Sequence, residues 1–171
     1  GKSEQAIAEF DSIAMRYEAL KQTTQEVASR PKVMLNAPYQ DKWYVPSDDS
    51  YMVTLLADAG GEYMCKGDSS HMTRIIDFEK AYHNVRDADL WLNVNQAGSL
   101  DELIAMFPLF SELEVVQQQR VYNNVRRTTA SGGSDFWESG AVDADVVLKD
   151  MIEILHPELL DHKLYYYIKL R

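Results

Sequence analysis

Cysteine is nearly missing from this 171-residue sequence: Cys65 stands alone, which excludes an internal disulfide and any zinc or iron–sulfur centre built on several thiolates. Long apolar runs are missing too, since no stretch approaches the roughly 18 residues needed to cross a bilayer as a helix. Positive charge is scarce. Against 27 Asp and Glu stand 17 Lys and Arg, a net charge of -10, and this argues against a nucleic acid as main partner because phosphate binding needs a basic face. The motifs of nucleotide and acyl chemistry are absent as well, with no G-x-G-x-x-G, no phosphate-loop lysine and no G-x-S-x-G. There is no internal repeat and no low-complexity tract. No signal peptide precedes the first helical pattern, which starts at Gly1-Lys2-Ser3-Glu4; a Gly where Met would stand suggests that an export signal has been removed.

What is present is enough to build a core. Apolar residues make up 46% and aromatics 11%, too rich for a disordered segment. The length fits one domain, or one lobe of something larger. Residues 3 to 28 read as one long amphipathic helix, with Ile7, Phe10, Ile13 or Ala14, Tyr17, Leu20 and Val27 at helical spacing and Arg30-Pro31 as its stop. A helix of about 25 residues is roughly 37 Å long. That exceeds what a lobe built from the rest of the chain needs, and marks it as a spacer or spine.

Beyond Pro31 short apolar runs alternate with helical patterns. Val33-Met34-Leu35, Tyr63-Met64-Cys65, Leu90 to Val94, Arg120 to Asn123 and Leu164 to Ile168 read as strands, with Asn36 to Ser47 as a loop. Helices are expected around Met52 to Ala59 (stopped by Gly60-Gly61), around Phe78 to Val85, from the capping box Ser99-Leu100-Asp101-Glu102 to Met106, and over Asp145 to Leu155. The alternation predicts an α/β fold, a mostly parallel sheet flanked by helices in the Rossmann-like manner, preceded by one long helix.

Such sheets bind ligands at the carboxyl ends of their strands. The loops there carry aromatics and arginines: Trp43 and Tyr44 after the first strand, Arg126 and Arg127 after the fourth, and Trp137 past the Gly/Ser-rich stretch 128–134. Large aromatics in loops suggest a ligand-facing wall, and paired arginines suit a carboxylate-bearing ligand; the alternative is that the tryptophans cap the core edge. The four histidines, at 71, 83, 156 and 162, read as ordinary surface residues rather than a zinc site, and no catalytic group or cofactor motif is apparent. An enzyme of the doubly wound class, using a carboxylate or histidine in a strand-end loop, is the competing reading. A response-regulator-like domain would need an acidic cluster after the first strand, where Asn36-Ala37-Pro38 stand instead.

Taken in order, Trp43-Tyr44-Val45-Pro46, Ser50-Tyr51-Met52, Ala59-Gly60-Gly61, Phe78-Glu79, Ala88-Asp89-Leu90-Trp91, Arg120-Val121-Tyr122-Asn123, Asp135-Phe136-Trp137-Glu138-Ser139-Gly140 and His156-Pro157-Glu158-Leu159 form a pattern. It resembles the C-terminal half of the helical-backbone solute-binding proteins of ABC importers, which serve iron–siderophore, haem and cobalamin uptake. The resemblance implies two α/β lobes joined by a long helix, with residues 1–30 as that helix and 31–171 as the C-terminal lobe. It implies an exported protein in the periplasm or at the outer face of the cytoplasmic membrane, held to the membrane only through its permease or a lipid anchor. It also implies that Glu79, in the first turn of its helix, docks on permease arginines. Many relatives carry Ser two residues before that glutamate, where this chain has Asp77.

Overall fold

The computed structural model describes residues 2–67 and 71–171. The chain opens with α1 (Lys2–Thr23), 22 residues and therefore roughly 33 Å long. It ends earlier than the apolar pattern suggests. The hydroxyls of Thr23 and Thr24 turn back onto the carbonyls of Leu20 and Lys21, an alternative to continuing the backbone ladder.

Next come β1 (Lys32–Leu35), β2 (Trp43–Val45), α2 (Tyr51–Asp58), β3 (Glu62–Tyr63), β4 (Arg74–Ile76), α3 (Phe78–Arg86) and β5 (Leu90–Leu92). The second half holds α4 (Leu100–Met106), α5 (Glu114–Gln117), β6 (Val121–Asn123), α6 (Ala144–Leu155) and β7 (Ile168–Lys169). The main sheet has the order β3-β1-β5-β6-β7, parallel except for β7, which runs antiparallel to β6. From β1 the chain goes first to one side, to β3, and then to the other, to β5. Right-handed crossovers in opposite directions place α2 and α3 on opposite faces. The central strands are covered on both sides, which is why Val33, Met34, Leu35 and Leu90, Trp91, Leu92 are apolar without alternation and all buried. The expected α/β fold with a mostly parallel sheet and a leading long helix is the fold observed.

Three differences from the sequence reading have clear causes. The third strand stops at Leu92 because Asn93 takes a left-handed φ of 62°. The last strand starts only at Ile168, because the amides of Tyr165, Tyr166 and Tyr167 donate to the buried Asp150 carboxylate instead of to a neighbouring strand. The loop 36–47 is not wholly irregular: β2 pairs antiparallel with β4 in a separate two-stranded sheet, Tyr44 opposite Ile75.

Gly60 ends α2 with φ 82°, the left-handed stop expected of it, and an added Cβ would meet His156 Nε2 at 2.7 Å. The lower part of α1 is pinned to the rest of the chain. Arg16 Nε donates to the buried Asp145 Oδ2 at 2.5 Å; Tyr17 OH donates to Asp58 Oδ2 at 2.7 Å, Lys21 Nζ lies 3.1 Å from Asp58 Oδ1, and Thr24 Oγ1 reaches the Asp58 carbonyl at 2.6 Å. Ile13 is buried there, while Ile7 and Phe10 farther up the same stripe are 61% and 71% exposed.

Candidate ligand-binding site

The point where the strand order reverses, between β1 and β5, opens a crevice at the carboxyl ends of the strands, the usual binding position in open α/β sheets. A cavity of about 370 Å³ lies there, lined by Asn36, Tyr39, Asn93, Asn95, Gln96, Asn124 and Trp137. A second hollow of about 260 Å³ shares Asn36 and Trp137 with it and extends toward Ser50, Tyr51 and Thr73. A larger one, about 500 Å³ beside Arg30, Asp89 and Arg120, sits at the amino ends of β1, β5 and β6, away from the binding loops.

Asparagine follows β1 and β5 for a local reason. Asn36, Asn93 and Asn95 have φ of 64°, 62° and 55°, and asparagine tolerates this left-handed region better than other side-chain-bearing residues. Asn36 ties the cavity floor to the core. Its carbonyl accepts from the indoles of both Trp43 (3.2 Å) and Trp91 (2.7 Å), and its amide donates to the Tyr44 carbonyl at 2.9 Å. Asn95 donates to the carbonyl of Pro38 at 2.9 Å, and Asn123 to that of Ala97 at 2.7 Å. Asn93 Oδ1 accepts from Tyr167 OH at 2.9 Å, so the residues anchored by Asp150 hold Asn93 in turn. Its Nδ2 is buried without a partner, and so is that of Asn124. These two side chains are 6% and 5% exposed.

Of the five residues expected to form a wall, the cavity lining contains Trp137. Trp137 lines both hollows and is 59% exposed. Trp43 does not: it is 0% exposed, stacked on Trp91 at 5.7 Å and packed against Phe78 and Phe110, because β2 folds its inward face onto the sheet. This is the core-edge alternative, and Trp43 supports the cavity floor from behind. Tyr44 alternates outward on β2 and is partly exposed outside the cavity lining. Arg127 is committed to Asp135 at 2.8 Å and lies over the Tyr165 ring at 4.3 Å; this pairing holds the Asp135 carboxyl below its usual range. Arg126 is exposed on the same loop and is not in the lining. The strand-end asparagines Asn36, Asn93 and Asn124 stand directly after short apolar runs, a signal present in the sequence itself. Glu79 is exposed in the first turn of α3, the capping of Lys80 N–H is done by Asp77, and Glu79 has no ion pair among the described residues.

The histidines are dispersed: His156 is buried on the Gly60 carbonyl, His162 bonds Asp150, and His71 pairs with Asp49. Among the described residues no three His, Cys, Asp or Glu side chains are grouped to hold a metal ion, and no helix is long and apolar enough to cross a membrane.

The switch-point crevice, floored by amides and walled by an exposed indole, is the candidate ligand site of this α/β fold. Residues 1–124 match the family model for periplasmic binding proteins, and the chain belongs to that family. An uncharacterised lipoprotein of Methanocaldococcus jannaschii is 26% identical over 143 residues, 81% of this chain and 33% of the lipoprotein. The fold is similar to that of the TroA-like periplasmic binding protein FepB of Veillonella parvula, with TM-score 0.66 at 12% identity over 98% of this chain and 57% of that one. It is also similar to two siderophore-binding proteins. FhuD of Vibrio cholerae, bound to Fe3+–Desferal, gives TM-score 0.58 at 16% identity over 91% of this chain and 57% of its own. The triscatecholate-binding FeuA of Bacillus subtilis, in complex with ferri-bacillibactin, gives 0.57 at 20% identity over 91% and 54%. The chain thus spans a third of the curated relative and little more than half of these structures.

Proposed function

We propose that this chain is the C-terminal lobe and spine of a non-enzymatic ABC-importer receptor. In this reading residues 1–30 form the interlobe spine and residues 31–171 the lobe. An iron–siderophore complex, haem or cobalamin is enclosed between the switch-point cavity and a second lobe, outside the cytoplasmic membrane, and passed to the permease. The observation that carries the reading is the cavity itself: two buried, unpartnered amide groups beside an exposed indole, at the carboxyl end of a sheet with the binding-protein fold. The upper part of α1 supports it, since Ile7 and Phe10 present apolar surface that a second lobe would cover. Trp137 and the strand-end asparagines then contact ligand, Tyr44 and Arg126 stand nearer the rim, and exposed Glu79 docks on permease cations.

Calorimetric titration of a two-lobed protein containing this chain tests the reading. Saturable heat with a ferric siderophore, haem or cobalamin is the expected result, and no heat with any of them refutes it. Residues 1–171 alone should bind the same ligand more weakly, because one wall cannot supply the enclosure that offsets the ligand's lost freedom.

A further inference from the structure

We infer that the cavity between β1 and β5 selects the uncharged, carbonyl-rich face of a metal complex and disfavours a triply anionic triscatecholate. The inference rests on the receptor reading and narrows its ligand class. Three observations carry it. The lining is made of amides and aromatic rings; among the described residues it holds no lysine, arginine, aspartate or glutamate. Two of its amide nitrogens, Asn93 Nδ2 and Asn124 Nδ2, are buried without an acceptor in the protein, although groups so placed ordinarily have one. Of the two arginines on the adjoining loop, Arg127 is already neutralised by Asp135 and Arg126 stands outside the lining, and the chain as a whole carries a net charge of -10.

Primary amide donors suit carbonyl and hydroxamate oxygens, which accept hydrogen bonds without bringing a charge to be desolvated. A tri-anion would lose water on entering this surface and meet no cation in its lining, the costly arrangement for buried charge. The Trp137 ring adds a flat apolar surface for an alkyl chain or a macrocycle edge. The occupant is thus a trihydroxamate complex or an amide-fringed corrinoid.

Side-chain amide resonances give a direct test that tolerates weak binding by the chain alone. The 15N-labelled protein is titrated with gallium–Desferal, with cyanocobalamin and with the gallium complex of a triscatecholate, all diamagnetic. Gallium–Desferal or cyanocobalamin should move the Asn93 and Asn124 side-chain signals, and whichever does so identifies the source of the carbonyl oxygens. The triscatecholate should leave them in place. Asn124→Ala should weaken binding about 3- to 10-fold, the effect of one neutral hydrogen bond. The fold should be retained, since the Asn124 side chain makes no hydrogen bond of its own while its backbone bonds to Asn123 and Ser134 remain. Equal or stronger shifts with the triscatecholate overturn the inference and leave the receptor reading standing. Silence of every resonance with all three probes also overturns the inference, while the receptor reading stands or falls with the calorimetry of the two-lobed protein.

Discussion

Replacing Asp150 by Ala should destabilise the protein by about 2–4 kcal/mol and loosen the floor of the cavity. The carboxylate is fully buried and accepts from the amides of Tyr165 (2.8 Å), Tyr166 (2.7 Å) and Tyr167 (3.1 Å), and from His162 Nε2 (2.6 Å). In the alanine variant the Tyr165 amide and the imidazole lie close enough to the surface to find water. Tyr166 and Tyr167 are 0% exposed, and their two N–H groups are left dry. Each buried unsatisfied donor costs about 1–3 kcal/mol, together about 2–6 kcal/mol, and removing a buried charge offsets part of this. Against a total stability of roughly 5–15 kcal/mol for a domain, the loss is large. Urea unfolding measures it. Hydrogen exchange should show Tyr166 and Tyr167 amides exchanging faster, and the Asn93 side-chain signal should shift as Tyr167 OH releases it. A stability loss below about 1 kcal/mol with unchanged protection at these amides would refute the idea that Asp150 organises the approach to β7 and, through it, Asn93.

Trp43→Ala should cost about 3–5 kcal/mol in denaturant titration, as expected for emptying a packed aromatic site, whereas Trp137→Ala should change stability little and weaken ligand binding instead. Gly60→Ala should destabilise by more than about 1 kcal/mol, because a left-handed φ and a close His156 ring coincide; thermal melting reads the loss. Asp135 has a carboxyl pKa lowered by Arg127, so the pair contributes above the unfolded value and is lost as pH falls through the folded one; the Arg127 Nε resonance should titrate with a midpoint below the ordinary aspartate value, and a midpoint at or above that value would refute the pairing. Glu79→Arg in a two-lobed receptor should leave ligand affinity intact and reduce uptake, since it reverses one exposed charge without touching the cavity; normal uptake would end the docking assignment.

The architecture was legible because its signals are local. Short apolar runs, Gly60 after a helix and Ser99 before one each act within a few residues, so the strand and helix order followed from them. What escaped depends on partners distant in sequence. The β2–β4 pairing joins residues 43–45 to 74–76, and neither segment announces the other. The aromatic run Tyr165-Tyr166-Tyr167 has strand composition, yet its amides are taken by Asp150. The site followed the same rule. Its place at the strand ends was predictable from topology, but whether an aromatic faces ligand or core depends on which side of a short strand it occupies. Trp43 and Tyr44 are neighbours in sequence and opposite in burial for that reason.

The convergence of two indole N–H groups on the Asn36 carbonyl has a spectroscopic consequence. Trp43 and Trp91 are held 5.7 Å apart at an interplanar angle of 28°, both in a dry environment, so their transitions couple and should give a near-ultraviolet circular dichroism couplet that persists for as long as the core does. Trp137, the third tryptophan of the sequence, sits at the cavity and emits from a solvent-exposed environment. The protein therefore carries two separate optical channels without any label. Dichroism reports whether the protein is folded, and red-edge fluorescence reports whether anything occupies the crevice.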